Sequence, residues 1–186
     1  SLVGSEMCIR DSSWIEWDSP YMPWEKNDLF FAQIDVNGEI KKIKKFSNTL
    51  INTKKAVSFF QPYWISEKLL VCSEDSSGWW NLLILDLSDI DSICIMKRLK
   101  RNLIEYGAPQ WISGITFFSG TLENLFCLAK KENSWTLEHY KDLALVKEFS
   151  TPFTSISDFS VSKQKVVFKG YGSDFLGIVF EIDFAK

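Results

Sequence analysis

The chain of 186 residues has one histidine, His139, and no Gly-x-Ser-x-Gly segment. A Ser-His-Asp triad needs a histidine placed to take the serine proton, so hydrolytic chemistry within these residues would rest on His139 alone. His139 lies near the end of a strand-like segment, where three other segments carry Asp35, Asp86 and Asp183. That pattern marks it as structural. Cysteine is sparse as well: Cys8, Cys72, Cys94 and Cys127 show no Cys-x-x-Cys spacing. Buried reduced thiols in a cytoplasmic protein are the simplest account, although an exported protein with free cysteines fits the same pattern. No metal site and no cofactor are predicted. Long apolar runs are missing too. Stretches such as Leu82-Leu83-Ile84-Leu85 are strand-sized, far below the roughly 20 residues that span a bilayer, so no membrane partner is expected. A formal net charge of −3 supplies no field that would draw in nucleic acid.

What the chain does have is apolar and aromatic residues, 46% and 15% of the total, enough for a packed core. It also has an internal period. Gln61-Pro62-Tyr63-Trp64-Ile65-Ser66 and Ala108-Pro109-Gln110-Trp111-Ile112-Ser113 nearly repeat, with the tryptophans 47 residues apart, and Phe159 lies 48 further on. Strand ends at Ile34-Asp35-Val36, Leu85-Asp86-Leu87, Glu138-His139-Tyr140 and Ile182-Asp183-Phe184 recur at a similar interval. A period near fifty residues implies stacked supersecondary units. Ser1 to Asp11 stands apart from this pattern and resembles the translated read-through of a sequencing adapter. Residues 1–12 are therefore expected to be non-native, with the domain running over 13–186 as part of a longer chain.

Nearly every segment reads as a short strand bounded by turn residues, so the chain is all-β. Asn37-Gly38 suits a two-residue hairpin turn between residues 28–36 and 39–46. Strands are predicted over 56–64, 68–73, 79–87 and 93–97, then over 111–118, 125–130, 135–140 and 144–149, and then over 155–161, 165–169 and 176–184. Four antiparallel strands per period describe a propeller blade. The fold class is a partial β-propeller of about three and a half four-stranded blades, over 13–50, 51–103, 104–150 and 151–186. The first blade lacks its opening strand and the last its closing one. Trp64 and Trp111 are predicted at equivalent places in successive blades.

Several clusters invite a chemical reading. Gly170-Tyr171-Gly172-Ser173-Asp174 faintly resembles a nucleophile elbow, but a strand follows it, which favours a glycine-rich hairpin turn. Asp86, Asp89 and Asp91 lack the glycine and terminal glutamate of a calcium loop. The basic runs Lys41-Lys42-Ile43-Lys44-Lys45 and Lys97-Arg98-Leu99-Lys100-Arg101 each enclose an apolar residue, as expected of outer strands guarded against edge pairing. The aromatic clusters Trp14, Trp17, Trp24 and Trp79, Trp80 are expected to fill core between blades. No catalytic, substrate-binding or metal-binding residue is assigned.

Trp14-Ile15-Glu16-Trp17-Asp18-Ser19-Pro20-Tyr21-Met22-Pro23-Trp24, followed by Leu29-Phe30-Phe31-Ala32, resembles the W-x-x-W-D-H-P-x-M-P-W…L-W-V-A stretch in the propeller of prolyl oligopeptidase-family serine peptidases. The nearest branch is the bacterial dipeptidyl aminopeptidase or acylaminoacyl peptidase type. Gln61-Pro62-Tyr63-Trp64 with Ser77-Gly78-Trp79-Trp80-Asn81-Leu82, and Tyr106-Gly107-Ala108-Pro109-Gln110-Trp111, fit the same family. Ser19 stands where the family usually has histidine. The resemblance implies a parent protein in which this propeller caps a C-terminal α/β-hydrolase domain. That domain would carry a serine on an elbow with Asp and His downstream, while the propeller admits short peptides. The rival reading is a non-enzymatic propeller scaffold that binds a protein partner, but no repeated Gly-His…Trp-Asp signature is present.

Overall fold

The structure, a computed structural model, describes residues 11–46, 48–51, 55–99, 101–111, 114–132, 134–162 and 165–184. Among the described residues, fourteen strands form four antiparallel sheets, each a simple meander in chain order. The first sheet holds β1 (Asp11–Glu16), β2 (Asp28–Ile34) and β3 (Ile40–Lys45). The second holds β4 (Phe59–Trp64), β5 (Leu69–Glu74), β6 (Asn81–Asp86) and β7 (Cys94–Leu99). The third consists of β8 (Phe118–Gly120), β9 (Leu125–Lys131), β10 (Ser134–Lys141) and β11 (Ala144–Thr151), and the fourth of β12 (Ser155–Ser162), β13 (Lys165–Gly172) and β14 (Phe175–Asp183). A single 3₁₀ turn, Asn48–Ile51, is the one helical element among the described residues. This is a partial β-propeller.

The chain divides into two compact units. One runs to Gly78 and resumes over Leu82–Leu99; the other takes Trp79–Asn81 and the chain from Lys100 onward. In the first unit β4 packs against β1 and β2, around a core that includes the fully buried Leu29, Phe59, Leu70 and Leu83. Phe46 meets Phe59 edge-on, with ring centroids 5.6 Å apart. In the second unit β12 packs against β8 and β10, and Phe153, Phe168 and Phe180 form one aromatic cluster. The pleat accounts for the burial. β5 and β6 read as continuous apolar runs and are buried on both faces, whereas β3 and β11 are largely exposed and carry lysines.

Bulges identify the opening strand of two sheets. In β4, Gln61 has a φ of 50° and the register against β5 shifts between Phe60 and Tyr63. In β12, Asp158 has a φ of 54° and the register against β13 shifts between Ser157 and Ser160. Residues 61 and 158 are two periods apart, and both strands open their sheets. Each of the pairs β2–β3, β6–β7 and β10–β11 carries one bulge as well, at Gln33/Ile34, Ile84/Leu85 and His139/Tyr140. β12, matched to β4 by its bulge, opens its sheet, so β12, β13 and β14 correspond to the first three strands of a complete sheet; the β13–β14 pair also shifts register, between Gly170 and Gly172, so a bulge is not peculiar to third and fourth strands.

Three sequence expectations are corrected. The strand expected over 111–118 is instead the short β8, Phe118–Gly120, and Trp111 lies before it, 71% exposed. Trp64 closes β4 next to a turn, so Trp64 and Trp111 are not equivalent; the Pro-x-Trp likeness does not track the pleat. Counted from the bulges, Phe159 holds the strand position of Pro62 rather than of Trp64. The Asn37-Gly38 hairpin is longer than the expected two-residue turn. Asp35 N–H donates to Glu39 O at 2.9 Å, and within this loop only Gly38 has a positive φ, 82°. This is the three-residue loop that ends in a left-handed glycine. Asp35 Oδ1 accepts the N–H groups of Asn37 and Glu39 at 2.9 Å each, which fixes the turn. At the N-terminus Asp11 and Ser12 pair with Gln33 and Ala32, so β1 begins inside the segment set aside as adapter-like; residues 1–10 lie outside the described residues.

Candidate functional site

The most developed polar arrangement centres on Glu138 in β10, whose side chain is fully buried. Its Oε2 accepts the hydroxyls of Tyr106 and Tyr140 at 2.7 Å each. Its Oε1 accepts from Arg101 Nη1, which also donates to Tyr106 Oη at 3.0 Å. Arg101 Nη2 lies 3.8 Å from Glu148, which Lys131 also pairs. Burial, with the Glu138 carboxylate beside it, pushes the Tyr106 phenol well above its ordinary range. Burial does the same to Tyr140, with Tyr106 and Glu138 adding to it. The carboxylate is thus saturated with donors and faces groups that hold their protons. Such a cluster fixes geometry rather than moving protons.

A second device lies beside it. Asn81, at the start of β6, donates to Arg101 O and Ile104 O at 3.2 Å each and accepts Arg101 N–H at 3.0 Å. Asn27, immediately before β2, does the same in the first unit. It donates to Pro23 O at 2.7 Å and Phe59 O at 2.8 Å, and accepts Phe59 N–H at 2.7 Å. Trp135, in β10, donates its indole N–H to Thr154 O at 3.1 Å. Residues 27, 81 and 135 are spaced by two equal steps of 54. Each ties the start of a third strand to the chain on its way into the following sheet. Leu29, Leu83 and Leu137, spaced identically, are all fully buried. This 54-residue repeat was legible in the sequence and is a better marker than the two tryptophans.

On the same count His139 matches Phe31 and Leu85, both core positions, not the strand-end Asp35 and Asp86. Its ring stacks on Phe126 at 4.4 Å and meets Phe184 at 5.3 Å, and Nε2 lies 3.0 Å from Asn124 Oδ1. Burial, then Lys147 and Lys141, hold its pKa below the usual value. Cys127 pairs in register with Glu138 while His139 pairs with Phe126. The thiol and the imidazole therefore sit on opposite faces of the sheet. Burial, with Glu138, pushes the Cys127 thiol well up, and burial with Glu74 does so for Cys72. Neither is an activated nucleophile.

The other candidates resolve into local structure. Ser173 and Asp174 are the exposed turn between β13 and β14, and a Cβ at Gly170 would lie 2.7 Å from the Phe153 ring. Lys42 and Lys44 pair with Asp91, and Lys45 with Asp28 at 2.6 Å, so one basic run and the acidic loop satisfy each other. Asp86 accepts Ser88 N–H and Asp89 accepts Asp91 N–H; no cluster able to hold a metal occurs among the described residues. Arg98 donates to Leu50 O and Ile51 O, and Lys100 lies outside the described residues. Trp80 is buried, and Trp14 stacks on Phe30 at 5.6 Å. Trp17, expected in core, is instead 52% exposed. A groove of about 470 Å³ beside Leu103 and Lys131, and a pocket of about 80 Å³ beside Trp64 and Leu87, contain no nucleophile–base pair. No helix among the described residues is long and apolar enough to cross a membrane.

With four meandering antiparallel sheets in hand, the class is a propeller domain. Neither a protein-family model nor a curated protein matches the chain. Solved structures do. A Mycobacterium tuberculosis puromycin-hydrolyzing peptidase is 24% identical over 93% of this chain, with a TM-score of 0.74. A puromycin hydrolase is 22% identical over 95%, with a TM-score of 0.76. Prolyl oligopeptidase B from Galerina marginata, bound to a 35mer substrate, is 12% identical over 95%, with a TM-score of 0.67. The chain spans about a quarter of their length, 26%, 26% and 23%. More particularly, then, the fold is that of the propeller region of prolyl oligopeptidase-type peptidases.

Proposed function

We propose that the chain is the substrate-gating propeller of a serine peptidase of the prolyl oligopeptidase family, one that acts on short peptides and carries its catalytic groups in an α/β-hydrolase domain outside these residues. The observation that carries this reading is the fold likeness to puromycin-hydrolyzing peptidases, which takes in 93–95% of this chain and only 26% of theirs. The Trp14–Trp24 stretch supports it at the level of residues. In this reading His139, held by Asn124, Phe126 and Phe184, serves the packing of its sheet.

Joined to its hydrolase domain, the protein is expected to cleave a short peptide and to spare the same sequence inside a folded protein. Comparing kcat/KM for the two substrates, with and without the propeller, tests this. Equal discrimination in both forms, with folding intact, would place the filter elsewhere and leave these sheets as a scaffold for partner binding. Alone, the chain should not hydrolyse chromogenic dipeptide or acyl-aminoacyl substrates; turnover abolished by His139→Ala would overturn that expectation.

A further inference from the structure

The two ends of β4 meet the first sheet by different means. Where β4 begins, Asn27 holds the N–H and C=O of Phe59. Where it ends, Trp64 packs against the core of the first unit, and its indole Nε1 is buried with no hydrogen-bond partner among the described residues. Among those residues only Ser58 Oγ shares this condition. A donor buried dry costs its full desolvation, which is why folded chains satisfy nearly all of them, with protein atoms or with bound solvent. The Trp135 indole shows the first solution, donating to Thr154 O at 3.1 Å.

Trp64 also lines a pocket of about 80 Å³, with Gln33 of β2 and Ser88 just after β6 beside it and Phe31, Ala32 and Leu87 as apolar walls. A water takes up roughly 30 Å³ in the liquid and settles inside a protein where two to four polar groups meet it; cavities lined by apolar atoms alone stay dry. Here an indole donor, a carboxamide and a hydroxyl line one space of sufficient size. Gln33 and Ser88 are exposed, which gives solvent a way in. We propose that an ordered water occupies this pocket, accepts the Trp64 indole N–H and donates to the side chains of Gln33 and Ser88. The first two sheets are then tied at one end by the Asn27 amide and at the other through bound solvent, a bridge enthalpically close to a direct hydrogen bond. This inference is independent of the peptidase reading.

The test is water-to-protein cross-relaxation in the isotope-labelled 186-residue chain, with the Trp64 indole resonance assigned through Trp64→Phe. The Nε1–H should show a peak to water with the sign of a molecule that tumbles with the protein. Ser88→Leu, which retains the main-chain N–H bond to Asp86 and turns one pocket wall apolar, should reduce that peak about threefold or more. Trp64→Phe keeps the ring packing and removes the donor, and should lower the folding equilibrium constant about fivefold, as the loss of one hydrogen bond. A rise in that constant would mean that the N–H is buried dry and would overturn the proposal, as would an indole with no water peak in the parent chain. A peak left unchanged by Ser88→Leu would put the water outside this pocket, with the same result. So would an indole shift that saturates with added acetate, which would make a small anion the occupant.

Discussion

The junction between sheets in the first unit and its counterpart in the second are built on one plan with different chemistry. Asn27 makes its junction with neutral hydrogen bonds alone, three of them, all to main-chain atoms. Asn81, 54 residues later, holds the N–H and C=O of Arg101 as Asn27 holds those of Phe59, though its third bond runs forward to Ile104 O rather than back as to Pro23 O, and the loop it holds also carries Arg101 onto the buried Glu138. A short amide that saturates backbone groups suffices where it reaches the first residue of the following strand itself, as at Phe59. Where a loop intervenes before β8, an ion pair and two phenols pin it. The difference shows how a repeat keeps its geometry while the connecting chain varies.

The comparison breaks most sharply at Glu138. Glu138→Ala would leave the Arg101 guanidinium and two phenols without their acceptor, at a cost of about 3–5 kcal/mol, read as a fall in the urea midpoint. If the cost were under about 1 kcal/mol, the cluster would be incidental. Asn27→Ala and Asn81→Ala strand buried main-chain groups and should each lose about 2–3 kcal/mol. Similar losses would establish that the two amides do equivalent work, whereas a large gap would show that the ion pair has taken over at the second junction. Trp135→Phe keeps the ring packing and removes one donor, a loss of about 1 kcal/mol.

Two effects of pH are smaller. Burial raises the pKa of Asp75, whose Oδ1 accepts Ser58 N–H at 2.8 Å. A raised carboxylate contributes stability below its unfolded value of 3.8 and loses it as pH rises through the folded value. Asp75→Asn, which keeps an acceptor oxygen, should therefore equal or exceed the parent in stability at pH 7 and lose that advantage near pH 4. His139 has the opposite sign. Its depressed folded pKa contributes stability above the unfolded value of 6.5, lost as pH falls from there toward the folded value. His139→Phe should flatten that slope in thermal melts recorded between pH 7 and pH 5.

Much of the architecture was legible because strand burial leaves a direct trace. The apolar runs of β5 and β6 and the lysine alternation of β3, with turn residues between them, mark strands from the residues alone. The roles of individual side chains were not. Arg98 and Arg101 looked like one basic run, yet they hold main-chain carbonyls in one unit and a buried carboxylate in the other. Lys42 and Asp91, 49 residues apart, read as parts of an outer strand and of an acidic turn and proved to be partners. Trp17 and Trp111 carried the same aromatic signal as Trp80, but only Trp80 is buried. Hydrophobicity cannot tell an interior tryptophan from an exposed one when the surrounding pattern is irregular.

By itself the sequence determined the class of fold, because a period of alternating apolar residues with turns between them admits stacked antiparallel sheets and little else. It also carried the 54-residue repeat of Asn27, Asn81 and Trp135. Only the tertiary structure decided how the strands register within each sheet, since that depends on bulges such as those at Gln61 and Asp158, where one extra residue re-registers the pairing. It decided as well that Glu138 is a buried anchor, because a charge can leave water only where donors distant in sequence converge on it: Arg101, Tyr106 and Tyr140 meet there through the pairing of strands and the course of a loop, and no local pattern records that.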